Sequence, residues 1–284
     1  EIYTLSLHDA LPISSLDGST IHGANLTTIV YGSELPDVLD CSDVWFEASK
    51  IYSESMGWDC PGVQALQGSP ELRVISSRGA KSYDNLPRVD LGVPERPSAS
   101  LESVLLGRRS ADVFTGSMTV SQLSGLLRYG AGMTDVSSNC SYLRTTPSAG
   151  ALHPLDLFVY ARHVEGLESG VYYYLPQENR VVQVCGPLGE SVADCFFNAA
   201  GSSDSAVLLF ITSSFWRSRF KYGHRGMRFC LMESGHMAQN MLLLASAYDL
   251  SARVFGGFID HDLNNLIPTL NGVDTALLYA LAIG

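Results

Sequence analysis

The chain has 284 residues, 46% of them hydrophobic and 17% charged, which is ample apolar material for one large domain or a domain with an extension. Its 18 basic side chains against 29 acidic ones leave a formal net charge of −11 with no Lys/Arg-rich run, which excludes a basic nucleic-acid-binding face. No apolar stretch reaches the roughly 18 residues of a membrane span, and six cysteines without metal-finger spacing (Cys41, Cys60, Cys140, Cys185, Cys195, Cys230) read as reduced thiols of a cytoplasmic protein.

In chain order, residues 1–14 stand apart: EIYTLSLHDALPI (1–13) resembles a translated sequencing adapter, has no basic start or signal-peptide cleavage site, and is set aside as an artefact. Residues 15–98 scatter Gly, Pro and Ser and read as an N-terminal extension, with a short helical signal from Val44 to Tyr52. The proline-rich stretch 86–100 reads as a linker or an extended wrap. Regular structure is predicted from Ser100, where SLESVLLGRR can start a helix. Thr119-Val-Ser-Gln122 is a capping-box pattern ahead of Leu123, Leu126 and Leu127, closing at Gly130. Leu155–Ala161 reads as a strand, Val171–Leu175 and Arg180–Val184 as a hairpin, and Ala206–Thr212 as a buried strand. Gly226–Asp249 is a long helix with Met227, Leu231, Ala238, Leu242 and Ala245 on one face, and Ala276–Ile283 is a last strand. A hairpin combined with long helices gives an α+β class.

Several short motifs carry chemistry. RTTPSAGALHP (144–154) is a polar, small-residue turn ahead of a strand. It fails as a hydrolase elbow, because that turn needs glycine two before and two after the serine, and Thr146 occupies the first place. Arg108-Arg109-Ser110 at a helix end either complements the helix dipole or clamps a phosphate or flavin edge. Lys221-Tyr222, within FKYGHR, is either a solvated basic turn or a general acid/base pair. Glu233 and His236 lie one helical turn apart, but a di-iron bundle needs two such pairs and further carboxylates, so no metal is expected. Gly256-Gly257 offers bare backbone amides, and Tyr129-Gly-Ala-Gly132 lacks the third glycine of a dinucleotide fingerprint.

Taken together, WFEASK (45–50), GRRSADVF (107–114), RTTPSAGALHP, SGVYYYLP (169–176), KYGHRGMRFCLMESGHMAQN (221–240), VFGGF (254–258) and LYALAIG (278–284) resemble the SagB-type dehydrogenases, the azoline-oxidising branch of the FMN-dependent nitroreductase-like superfamily. The resemblance runs over about residues 44–284 and implies a nitroreductase-like flavin fold, a mixed or antiparallel sheet flanked by helices, in a homodimer with FMN at the subunit interface. It makes 99–284 the FMN domain, stopping short of a basic residue that superfamily members often carry after the last strand. Carried over by position, Arg108, Arg109 and Ser110 would contact the FMN phosphate, ribityl and ring edge. Pro147, Ser148 and Gly150 would cover the flavin, with Ser148 as a hydrogen-bond donor, and Gly256 and Gly257 would lie near flavin N5 and O4. Lys221 and Tyr222 would manage the substrate proton. Asp112 stands where the branch carries a second basic residue, and a carboxylate there would repel the anionic reduced flavin.

The implied function is FMN-dependent oxidation of thiazoline or oxazoline rings in a peptide to thiazole or oxazole, with a cyclase or biosynthetic complex as the expected partner. The alternatives are an NAD(P)H-dependent nitroreductase or flavin reductase, and a non-catalytic scaffold subunit of a peptide-modifying complex. Neither nucleic acid nor membrane is an expected partner.

Overall fold

The computed structural model describes residues 41–53, 60, 62–77, 81–114, 116–138, 141–189, 191–197 and 203–284. The set-aside residues 1–14 lie outside them. Two units are distinguished, Glu1–Ala48 and Ser49–Gly284. In the first, the described structure is one helix, α1 (Cys41–Ala48), which ends earlier than the helical signal reaching Tyr52.

The second unit is built on a seven-stranded sheet of order β1-β8-β7-β5-β9-β11-β10. Its strands are β1 (Arg88–Asp90), β5 (Leu155–Ala161), β7 (Gly170–Leu175), β8 (Arg180–Cys185), β9 (Val207–Ser214), β10 (Ala252–Phe255) and β11 (Thr275–Ile283). Every pairing in this sheet is antiparallel. Two small sheets stand beside it: β2 (Met118–Thr119) runs parallel to β6 (Val164–Glu165), and β3 (Met133–Val136) forms a hairpin with β4 (Tyr142–Arg144).

The strands are apolar at nearly every position because both faces are covered. Side chains alternate across a strand. Leu155, Leu157, Val159, Leu209 and Ile211 therefore share one core with Leu123, Leu126 and Leu127 of α5 (Val120–Ala131) and with Met237, Ala238 and Met241 of α8 (Arg225–Ala247). Phe158, Tyr160, Leu208 and Phe210 share the opposite core with Val192 of α6 (Ser191–Asp194) and with Leu263 of α9 (Asp260–Leu266). The fold is thus α+β, an antiparallel sheet between helical layers.

Local rules set the helix ends. α4 (Leu101–Gly107) begins where the Ser100 side chain accepts a hydrogen bond from the Ser103 amide, and α5 begins on a complete capping box between Thr119 and Gln122. Along α8 the buried face is Cys230, Glu233, Ser234, Met237, Ala238, Met241, Leu242 and Ala245. The predicted face agrees in the C-terminal half. In the N-terminal half Leu231 is exposed and Cys230 takes the inward position, because the polar Glu233-Ser234 pair turns into the protein.

The stretch 86–100 is an extended wrap. After β1 it crosses α5 and α8, with the Val93 carbonyl accepting from Ser121 and the Glu95 carbonyl from the Tyr248 hydroxyl at 2.7 Å. Ahead of it, α2 (Gly62–Gly68) packs on α7 (Trp216–Tyr222), which carries the Lys-Tyr pair, and α3 (Pro70–Ser77) packs on α2.

Candidate active site

The turn between β4 and β5 holds an unusual backbone. Gly150 (φ 64°), Ala151 (φ 53°) and His153 (φ 46°) all occupy left-handed space, and each non-glycine residue there costs on the order of 1 kcal/mol. The turn persists because it is tied from beneath. The Ser148 hydroxyl accepts the His153 amide at 2.9 Å and bonds the Glu233 carboxyl, and His153 Nε2 meets the Tyr142 carbonyl at 2.7 Å. Thr146 donates to the Gly130 carbonyl.

Lys221 and Tyr222, at the end of α7, converge on this turn. A methyl group on Gly150 would overlap both the Lys221 ammonium and the Tyr222 hydroxyl, so glycine is what lets the two polar ends approach the backbone. The Lys221 ammonium also stands over the Tyr222 ring, 4.9 Å from its centroid, and that ring packs edge-on against Phe229. The pair is half-buried, which removes the picture of a fully solvated basic turn.

Below the turn lies a polar layer that the motifs do not reveal. Glu233 is 4% exposed and one carboxylate oxygen has no partner. Burial pushes its carboxyl up to about 7, against the opposing pull of Ser148 and Arg144. His153, also buried, is driven down to about 4 by burial and by the Arg144 charge. Further in, Asp156 of β5 accepts from Arg217 at 2.9 Å, from the Tyr173 hydroxyl at 2.8 Å and from Ser214 at 3.1 Å. An aspartate inside the apolar run LDLFVYA was the signal available for this network. Glu233 and His236 do not form a metal pair: the glutamate faces inward, the histidine outward, and no metal-binding cluster exists among the described residues.

The two arginines after α4 separate in role. Arg109 turns back, its Nη1 donating to the Leu106 and Arg108 carbonyls, which is the helix-end pairing that the sequence allowed. The Arg108 guanidinium has no hydrogen-bond partner among the described residues, its backbone alone being bonded, to Val104 and Arg109. It lines a recess of about 250 Å³ with Ser110, Ser246 and Ser251, and one carboxylate, Asp249, also faces that space. Asp112 is ion-paired with Arg253 of β10, so its charge is answered by a cation on the neighbouring strand. Gly256 and Gly257 follow β10, and neither amide has an acceptor among the described residues. The nearest atom to a methyl group on Gly256 would be a Tyr279 ring carbon at 3.8 Å. An uncommitted guanidinium with hydroxyls suits a phosphate, and bare amides suit an isoalloxazine edge, so the residues present fit FMN. Lys221 and Gly150 line one cavity and Arg108 and Ser110 line another.

The antiparallel sheet and the recess beside it are the frame within which any cofactor would sit. The family model described as the nitroreductase family matches residues 115–284, and the chain belongs to that family. A nitroreductase-named protein of Methanocaldococcus jannaschii is 32% identical over 181 residues, covering 63% of this chain and 89% of that protein. The microcin B17-processing protein McbC of Escherichia coli is 33% identical over 130 residues, 42% of this chain and 46% of McbC. Among solved structures, a nitroreductase-named protein of Anabaena variabilis superposes with a TM-score of 0.66 at 22% identity, covering 89% of this chain and 49% of its own. The E. coli microcin synthetase McbBCD complex with truncated pro-MccB17 bound gives 0.53 at 23% identity, covering 87% and 98%. The chain thus spans about half the length of the Anabaena protein and of McbC. Among the described residues no helix is long and apolar enough to cross a membrane.

Proposed function

We propose that the protein oxidises thiazoline or oxazoline rings in a peptide, with FMN held by Arg108, Ser110 and the Gly256-Gly257 amides, and with Pro147 and Gly150 of the turn facing the flavin, while the Ser148 hydroxyl, expected to donate to the ring, is turned beneath to His153 and Glu233 and holds the turn's shape. The observation that carries this reading is the convergence of Lys221 and Tyr222 on the bare backbone of Gly150, which sets two proton-handling groups against one surface. Aromatising an azoline removes a proton from the ring carbon beside the carbonyl and a hydride from the neighbouring carbon. Bound FMN supplies the acceptor for that hydride, and oxygen restores it. Lys221, as the free amine, would take the proton, and Tyr222 would hold the ring heteroatom or relay the proton onward. Similarity to McbC, a microcin B17-processing protein, supports a peptide substrate and a biosynthetic complex.

A homodimer completes the site in this reading. Leu101, Leu105 and Leu106 on α4 are exposed, α4 packs beside α8, and α8 exposes Leu231 and Met232. An apolar surface of this kind marks an association face, and a second copy would bring its own turn to the flavin.

The test is to give purified, flavin-loaded protein an azoline peptide and follow loss of two hydrogens by mass spectrometry. An unchanged ring across several peptide contexts counts against the reading. The M. jannaschii relative favours a second one, an NAD(P)H-fed nitroreductase. Rapid bleaching of the flavin by NAD(P)H, with turnover indifferent to Lys221, would select it.

A further inference from the structure

Lys221 and Gly150 also belong to the wall of a cleft of about 470 Å³ whose other walls come from two segments outside the family motifs. One is the helical pair α2–α3, which contributes Gln67 and Ser76; the other is the β3–β4 hairpin region, which contributes Ser137, Ser138 and Ser141. The volume falls in the range of about 300–1,000 Å³ usual for ligand sites. Placement of α2 against the catalytic helix is specific. A methyl group on Gly62 would overlap the Phe220 carbonyl and the Lys221 backbone, so α2 lies directly on the segment bearing the Lys-Tyr pair.

The chemistry of the lining is one-sided. The chain carries 29 acidic residues against 18 basic ones, yet among the described residues no Asp or Glu lines this cleft. Its ionisable groups are Lys221 and Arg73, and Arg73 already donates Nε to the Leu66 carbonyl and Nη2 to the Gln67 carbonyl. The other described lining residues divide evenly between hydroxyl or amide side chains and small or apolar ones, Val63, Leu66 and Leu143 among them, a mixed wall suited to a peptide backbone and small side chains beside the Arg73 charge. A nucleotide phosphate would find no free arginine fork here, because Arg73 is engaged, and would meet only Lys221 as a point charge.

We propose that this cleft binds the stretch of substrate peptide flanking the ring, and that it selects neutral or acidic flanking residues over basic ones. The position of the ring rests on the azoline-oxidising reading; peptide binding in the cleft is measured without it. The probe is a fluorescein-labelled product peptide, a thiazole flanked on each side by glycine and serine, titrated into the flavin-loaded full chain and read by anisotropy. Gln67→Trp and Ser138→Trp, filling the cleft from opposite walls, each weaken binding at least about tenfold. Ala193→Trp, in the separate recess beside Tyr160 and Arg162, leaves it unchanged. Replacing the flanking serines by lysine weakens binding about fivefold, replacing them by glutamate does not, and salt narrows the gap.

Wild-type affinity in both Trp variants, with native circular dichroism, overturns the cleft even where azoline turnover persists. Loss of binding in both variants, in a protein that oxidises no azoline, keeps the cleft and removes the oxidase reading. Competition by NADPH that Gln67→Trp abolishes would reassign the cleft to a nucleotide and overturn the proposal.

Discussion

Gly150 occupies left-handed space with the Lys221 and Tyr222 side chains against it, so three residues at one point can be tested separately. Lys221→Ala and Tyr222→Phe remove proton handling without touching the flavin contacts, so each keeps bound FMN and loses about a hundredfold or more in azoline turnover. Gly150→Ala keeps both groups but pushes them off the turn, and it loses turnover with a stability change of about 1–2 kcal/mol; flavin absorbance and stopped assays separate the cases. Beneath the turn, Glu233 and His153 pull stability in opposite directions with pH. Glu233 has its folded pKa raised from 4.5 to about 7, so its contribution is full below pH 4.5 and is lost as pH rises through 7. His153 has its folded pKa lowered from 6.5 to about 4, so its contribution is full above pH 6.5 and is lost as pH falls through 4. The two nearly offset between those limits. Glu233→Gln removes one arm, so relative to the parent it gains roughly 3 kcal/mol in the pH-dependent part of its stability between pH 4.5 and 8. Urea midpoints across that range check it, and parallel curves for parent and variant would refute the assignment.

At the scale of elements, the buried Asp156–Arg217 pair ties β5 to α7 and so fixes where the Lys-Tyr pair emerges. Asp156→Ala removes the buried carboxylate that Arg217, Tyr173 and Ser214 all bond and should cost about 3–5 kcal/mol, read as a lower urea midpoint; a loss under about 1 kcal/mol would mean that solvent reaches Arg217. Elements with a strong local signature were legible in the sequence: α5 through Thr119 and Gln122, the β7–β8 hairpin, and the unbroken apolar runs of β5 and β9. Those that exist only by partnership were not. β1 has three residues and is a strand because β8 is beside it, and α2 and α3 hold no long periodic run. The inward turn of Glu233 displaced the predicted face of α8 because a buried carboxylate is invisible to hydrophobic periodicity. In the site, the glycines and Lys-Tyr pair were legible as residue types at fixed offsets. The division of labour between Arg108 and Arg109 was not, since it depends on which guanidinium finds a carbonyl.

For the whole molecule, the leucines of α4 and the Leu231-Met232 pair predict association. Leu105→Lys combined with Leu231→Lys should elute as a monomer on size exclusion and lose its yellow colour, with circular dichroism unchanged; a flavin-loaded monomer would place the whole cofactor site in one chain. The sheet order carries a different consequence. β9 lies between β5 and β11, yet β11 is made only after the whole of α8, β10 and α9. During synthesis at roughly 5–20 residues per second, the newly emerged β9, whose side chains are apolar on both faces, waits several seconds with one hydrogen-bonding edge bare. The nascent protein is therefore sticky on the ribosome for a period set by translation speed. Slow codons between residues 215 and 274 would lower the yield of folded protein without changing a single amino acid.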